Sequence, residues 1–163
     1  MTRIHTLCRT QRIPRSLSEV FSFFETPENL AKITPVKLGF QILTPSPIAM
    51  HRGAVIDYVI KVVGLSLHWR TLITTYEPSC KFVDEQLKGP YLMWHHTHHF
   101  QETDAGTIMT DTVHYAMPFG YFGSLVHALF VKRQIDTIFT YREKAIANYF
   151  AAHHPALEEE RSL

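Results

Sequence analysis

The chain has 163 residues, 16 of them basic and 15 acidic, for a formal charge of +1. That length suits one domain with a real core, and no lysine–arginine stripe is present to neutralise a phosphate backbone, so nucleic acid is not an expected partner. No apolar run approaches about 18 residues, and the opening MTRIHTLCRTQRIP lacks the apolar core of a signal peptide, so neither a transmembrane segment nor an export signal is expected.

The residues from Ile4 to Ile13 alternate irregularly and stop at Pro14, which predicts a first strand. Ser16-Leu17-Ser18-Glu19 then spells a capping box, in which hydroxyl and carboxylate each satisfy an orphan backbone N–H, and Val20, Phe21 and Phe24 supply an apolar helix face. Thr26 as N-cap with Pro27 at the first helical position predicts a second short helix, ending before Pro35. Six extended segments follow, near 37–44, 53–63, 67–77, 81–87, 91–102 and 107–117. Their breaks fall at Pro45 to Pro47, Gly64, Pro78, Gly89 with Pro90, and Asp104 to Gly106; connections this short predict an antiparallel meander.

The last element changes period. Between about Phe122 and Phe150, the apolar positions Leu125, Leu129, Ile135, Ile138, Phe139, Ile146 and Tyr149 follow one helical face. Such a helix would run on the order of 40 Å, enough to cross a sheet. The expectation is an α+β domain over residues 1–152, with a curved seven-stranded antiparallel sheet wrapped around the C-terminal helix and two short helices after strand 1. Residues 153–163, including Glu158 to Glu160, are expected to form a flexible acidic tail.

Two compositional features bear on chemistry. The 11 histidines could charge below about pH 6.5 and make ligand affinity pH-dependent. Cys8 and Cys80 are isolated and lack metal-type spacing, so they read as two buried thiols of a protein kept in the reducing cytoplasm.

Several words in the chain carry a family likeness: PENLAKITP (27–35), FVDEQ (82–86), GPY with W-x-H-x-H-x-F (89–100), D-x-V-x-Y-x-x-PFG (111–120) and IFTYR (138–142). Together with the element order they resemble the helix-grip superfamily of START-like, Bet v1-like and polyketide cyclase-like proteins, in particular its bacterial SRPBCC ligand-binding branch. The likeness covers about residues 3 to 150. It implies a cavity between sheet and helix that holds a lipid, sterol, quinone or polyketide, with enzymatic activity in only some relatives and no cofactor or metal.

The histidines of GPYLMWHHTHHF sort by strand alternation. Leu92, Trp94, His96, His98 and Phe100 share the more apolar face, while Tyr91, Met93, His95, Thr97 and His99 share the other and are expected to face solvent. A tight turn at Asp104 and Ala105 pairs Trp94 with Tyr115, His96 with Val113, His98 with Asp111 and Phe100 with Met109; a one-residue slip would oppose apolar and polar faces.

Three readings of His96 and His98 stay open. Two histidines at i and i+2 with Asp111 as third ligand could hold a metal, but Val113 opposite His96 and the resemblance both weigh against it. An Asp111-oriented His98 could act as general base, although no nucleophile motif stands beside it. Most weight falls on a polar strip in an apolar cavity, built from His96, His98 and Asp111, helped by Asp84, Gln86 and Arg142 and walled by Trp69, Trp94 and Tyr115. Asp57 is expected to point outward from a strand whose core face is Ile56, Tyr58, Ile60 and Val62. The expected function is binding of a small hydrophobic or amphipathic ligand, with a cyclase- or aromatase-type enzyme, catalytic through His98 and Asp111, as the alternative. The sequence is silent on oligomeric state.

Overall fold

The computed structural model describes residues 3–62 and 64–153, without the side chains of Tyr121, Phe122, Ser124 and His127. In chain order it comprises β1 (Ile4–Ile13), α1 (Leu17–Phe24), a 3-10 helix (Pro27–Ile33), a 3-10 turn (Val36–Leu38), β2 (Gln41–Ile42), β3 (Val55–Val62), β4 (Leu65–Glu77), β5 (Lys81–Lys88), β6 (Met93–Thr103) and β7 (Gly106–Ala116). It ends in α2 (Gly120–Val126), a π-turn (His127–Val131) and α3 (Lys132–Ala152). The strands form one antiparallel sheet in the order β1-β7-β6-β5-β4-β3-β2.

The capping box forms as spelled: Glu19 N–H donates to the Ser16 hydroxyl, and Ser16 N–H donates to the Glu19 carboxylate. This starts α1 abruptly, so that Val20, Phe21 and Phe24 are buried soon after Pro14. They pack with Phe82 of β5, Phe100 of β6 and Phe150 of α3 into the main apolar cluster. Arg15, just before α1, ties the other side of that cluster by donating to the Phe150 carbonyl at 2.5 Å. Gln11 of β1 likewise donates to the Glu143 carbonyl at 2.8 Å, docking α3 along the edge strand.

Three local expectations are corrected. The segment 37–44 is mostly not a strand: Val36–Leu38 turns, Gly39 takes the left-handed φ of 49°, and only Gln41 and Ile42 reach β3. The 122–150 helix runs without a gap but is not α-helical throughout. The π-turn inserts extra residues, each worth about 100° of rotation, and this throws Leu125 and Leu129 to solvent at 57% and 59% exposure. Finally, neither free cysteine is buried: Cys8 is exposed on edge strand β1, and Cys80 is half-buried in the β4–β5 turn. Of the expected acidic tail, His153 stacks on Tyr149, and 154–163 lie outside the described residues.

Candidate functional site

The β6 and β7 register is the one the alternation predicts, with His96 opposite Val113 and His98 opposite Asp111. On its other side β6 meets β5, which sets Asp84 opposite His96 and Phe82 opposite His98. Each neighbouring strand therefore delivers one carboxylate to a pair of inward imidazoles, and the four side chains close into one cluster under α3. His96 and His98 are only 4% and 6% exposed.

Within the cluster, His96 Nε2 lies 3.1 Å from Asp111 Oδ1, and His98 Nε2 lies 3.0 Å from Asp84 Oδ2. Ionised carboxylates only accept, so both nitrogens donate in these bonds. The second nitrogens are also close to carboxylates: His96 Nδ1 is 3.4 Å from Asp84 Oδ2, and His98 Nδ1 is 2.8 Å from Asp111 Oδ1. The last contact runs off the N–H direction, so it is a charge contact rather than a formed hydrogen bond. The ring centroids of the two histidines are 3.8 Å apart. Phe82 stacks on His98 at 4.3 Å, and Phe139 of α3 presents its edge to His96 at 5.6 Å, so apolar rings fix both imidazoles from outside.

Burial and pairing compete in setting the charges. Burial pushes the Asp84 and Asp111 carboxyls up, but the charge and hydrogen bonds of the histidines, aided at Asp84 by Arg142, outweigh it and leave both below the usual range. Burial and the neighbouring His98 hold His96 low. His98 also suffers burial, yet the two aspartates prevail and raise it. The cluster thus sorts its imidazoles into one that favours the neutral form and one that favours the cation.

The cluster forms part of the wall of a cavity of about 270 Å³ between sheet and α3. That is near the lower end of the roughly 300–1,000 Å³ of small-molecule sites, which suits a compact ligand. Aromatic residues dominate one end: Trp69 stacks with Tyr58 at 5.9 Å and stands edge-on to Trp94 at 5.4 Å, with Tyr91 against both tryptophans. Four polar atoms of wall residues have no hydrogen-bond partner: Trp69 Nε1, Thr71 Oγ1, His98 Nδ1 and Arg142 Nε. Arg142 lies over the Phe139 ring at 5.1 Å, one turn from His96's aromatic neighbour.

Of the residues named from sequence, Trp69, Asp84, Trp94, His96, His98 and Arg142 line the cavity. Asp111 does not; it is buried behind the histidines, toward β1 and α3. Tyr115 is also off the wall, packed with Val113, Ile135 and Phe139 in a separate apolar cluster. Gln86 is turned away to brace the β5–β6 connection, donating to the Tyr91 carbonyl at 2.7 Å and accepting from its N–H at 3.3 Å. The assignments of Tyr91 and Leu92 are reversed: Tyr91 lines the cavity, and Leu92 is 60% exposed. Alternation cannot be counted through them, because Gly89 and Pro90 keep the backbone turning until β6 begins at Met93. Tyr58, Ile60 and Thr71 complete the wall from β3 and β4; the inward face of β3 was legible, whereas Thr71 carries no signal until Trp69 is known to face inward. Asp57 does point outward, where His68 Nε2 and Arg70 Nε meet its Oδ1 at 2.7 and 2.8 Å.

Among the described residues, one group could hold a metal ion: Asp84, His96 and His98, whose ligand atoms lie within 4.8 Å of one another. No described helix is long and apolar enough to cross a membrane.

A seven-stranded antiparallel sheet gripping a C-terminal helix, with two short helices after the first strand and a cavity between, defines the helix-grip fold of Bet v1-like proteins. No family model matches the chain, and no curated protein matches it in sequence. Solved structures do. Ginseng major latex-like protein 151 from Panax ginseng superposes with a TM-score of 0.66 at 13% identity over 93% of this chain and 99% of that one. Ara h 8.0201 gives 0.64 at 13% over 93% and 100%. A protein from Chromobacterium violaceum gives 0.69 at 12% over 89% and 96%. At these identities the likeness is one of fold.

Proposed function

We propose that the protein binds a compact amphipathic molecule, of quinone, polyketide or lipid character, in the cavity between sheet and α3, as a ligand-binding member of the bacterial SRPBCC branch acting in the cytoplasm. Support comes first from unpartnered polar atoms. Trp69 Nε1, Thr71 Oγ1 and Arg142 Nε are buried in a largely apolar part of the wall. A buried polar group without a partner costs about 1–3 kcal/mol, and a ligand bearing acceptor oxygens would relieve that cost while its apolar body packs on Tyr58, Trp69 and Trp94. Fold analogy with Bet v1-like proteins points the same way by association only.

The test is native mass spectrometry of freshly purified protein, followed by extraction of the bound molecule. One small-molecule adduct per chain is expected, with displacement of a hydrophobic dye such as anilinonaphthalene sulfonate and quenching of tryptophan fluorescence. Trp69→Phe, which keeps the ring but removes the donor, should weaken an acceptor-bearing ligand by about fivefold, the equivalent of one hydrogen bond of ~1 kcal/mol. A protein that carries no adduct and takes up no dye would sink the reading.

The second reading, a cyclase- or aromatase-type enzyme, draws on one observation: His98 stands in the cavity wall between two aspartates that raise its basicity, and it would serve as general base from its neutral form. It predicts that His98→Ala abolishes turnover of a polyketide-like substrate while dye and ligand still bind. A simple carrier yields no product from any such substrate.

A further inference from the structure

The cluster has a feature that neither ligand binding nor general-base chemistry uses. Asp84 Oδ2 is approached by two nitrogens, His98 Nε2 at 3.0 Å and His96 Nδ1 at 3.4 Å. A neutral imidazole has one N–H, and that of His96 is committed through Nε2 to Asp111. Its Nδ1 therefore aims a lone pair at a carboxylate oxygen. Two acceptors facing one point inside a protein are relieved by a positive charge between them, a proton or a metal ion. Their spacing fits a metal ion: ligands about 2.0–2.1 Å from a metal are separated by about 2.9 Å at a right angle and about 3.4 Å at the tetrahedral angle.

The surroundings agree. Asp84, His96 and His98 line the cavity, whereas Asp111 lies behind them. Asp111 Oδ1 faces the far nitrogen of each imidazole, at 3.1 Å from His96 Nε2 and 2.8 Å from His98 Nδ1. A carboxylate in that position fixes the tautomer and orientation of ligating histidines, as outer partners do in metalloproteins generally. When His98 ligates through Nε2, its proton belongs on Nδ1, 2.8 Å from Asp111 Oδ1, and a small turn of the ring would bring that N–H into line with the carboxylate. Phe82 and Phe139 clamp the rings. The charges also close: two buried carboxylates offset a divalent ion with both imidazoles neutral.

We propose that Asp84 Oδ2, His96 Nδ1 and His98 Nε2 bind one divalent first-row transition ion, with Asp111 holding both imidazoles from behind. Two histidines and one carboxylate select such an ion over calcium or magnesium. Three protein ligands leave further positions open, and these face the cavity, where an oxygen of a ligand could coordinate. In the sequence alone Asp111 is the candidate third ligand, and Val113 opposite His96 weighs against a metal together with the resemblance; the β5–β6 pairing supplies Asp84 instead. The inference needs only this wall and not the identity of the cavity's occupant.

The test is titration of chelator-treated protein with Co2+, followed by visible ligand-field absorption and elemental analysis. One Co2+ per chain is expected, displaced by Zn2+, with paramagnetically shifted signals from two imidazole N–H protons. Asp84→Asn, close to isosteric, should weaken Co2+ by at least about tenfold, and Asp111→Asn by about 10–100-fold with an unchanged circular dichroism spectrum. The proposal is overturned if the wild-type protein takes up no Co2+ at one equivalent. It is equally overturned if Asp84→Asn binds Co2+ as well as wild type, since the ion would then sit on surface imidazoles such as His95 or His99. The two shifted N–H signals need only the wild-type chain, so a misfolded variant leaves the test intact. Dye binding on the same samples separates the readings: dye without metal overturns this inference alone, and metal without dye overturns the cavity reading alone.

Discussion

The two ends of the gap between sheet and α3 are built from the same strands and the same helix, yet they are filled in opposite ways. At the end under α1, Phe82, Phe100 and Met109 of β5–β7 meet Phe21, Phe24 and Phe150 in one apolar cluster, of which Phe24 and Phe82 border the cavity. Two residues further along those strands stand Asp84, His98 and Asp111, and beyond them the gap opens into the cavity. Apolar packing gains with every filled volume, whereas the polar half is held by pairings that only offset the cost of burying them. The packed end is thus the source of stability, and the charged end is where the fold carries groups that packing does not need.

The largest expected effect lies at the packed end. Phe100→Ala removes a ring that is 3% exposed and in contact with Phe21, Phe24 and Phe82, and should cost about 3–5 kcal/mol by urea unfolding while dye binding in the cavity persists. Loss of dye binding without loss of stability would reverse the roles assigned to the two ends.

At the charged end, Asp111→Leu should cost about 3 kcal/mol, because it leaves His96 and His98 without their shared acceptor. Replacing His98 as well, by Leu, should cost less than the sum of the two single changes, since one residue of each charge then remains; a double-mutant cycle on unfolding free energies reads the coupling. Strict additivity would mean that the four side chains do not act as a unit.

The pH dependence of metal-free protein sharpens the contrast. Asp84 and Asp111 are held low, so their contribution is complete above the ordinary carboxylate pKa of about 4 and is lost as pH falls below it. His98 is raised, and its contribution is complete below about pH 6.5 and lost as pH rises through the folded value. His96 is lowered and works in the opposite sense, contributing above about pH 6.5 and losing that contribution as pH falls. Urea midpoints should therefore change little around neutrality, where the histidines oppose each other, and drop steeply under about pH 4. In Asp84→Asn/Asp111→Asn protein the acid drop should shrink; an unaltered drop would locate acid sensitivity elsewhere.

The smallest expected effect is local. Ser16→Ala removes the N-cap of α1 and should cost about 1 kcal/mol, with cavity binding unchanged. A larger loss would show that the entry angle of α1 controls the packed end as a whole.

Much of this was legible in advance, and for identifiable reasons. Strand alternation has a period of two, so His96, His98 and Phe100 had to share a face; turn chemistry at Asp104 and Gly106 then set β6 against β7 residue by residue. The Ser16–Glu19 box and the apolar face of β3 were equally local. Where the backbone left regular geometry, the reading failed: at Gly39, which turns a predicted strand; at Gly89 and Pro90, which exchange Tyr91 and Leu92; and at the π-turn, which rotates Leu125 and Leu129 outward.

By itself, the sequence determined the fold, the order of the strands along the chain, and which histidines turn inward, because each follows from short-range periodicity and turn residues. Only the tertiary structure decided that β5 sets Asp84 against both imidazoles, that Asp111 stands behind rather than in the cavity wall, and that Gln86 braces a turn. Those outcomes depend on the lateral pairing of β5 with β6 and on the depth at which α3 lies across the sheet. No periodicity within a single segment encodes either.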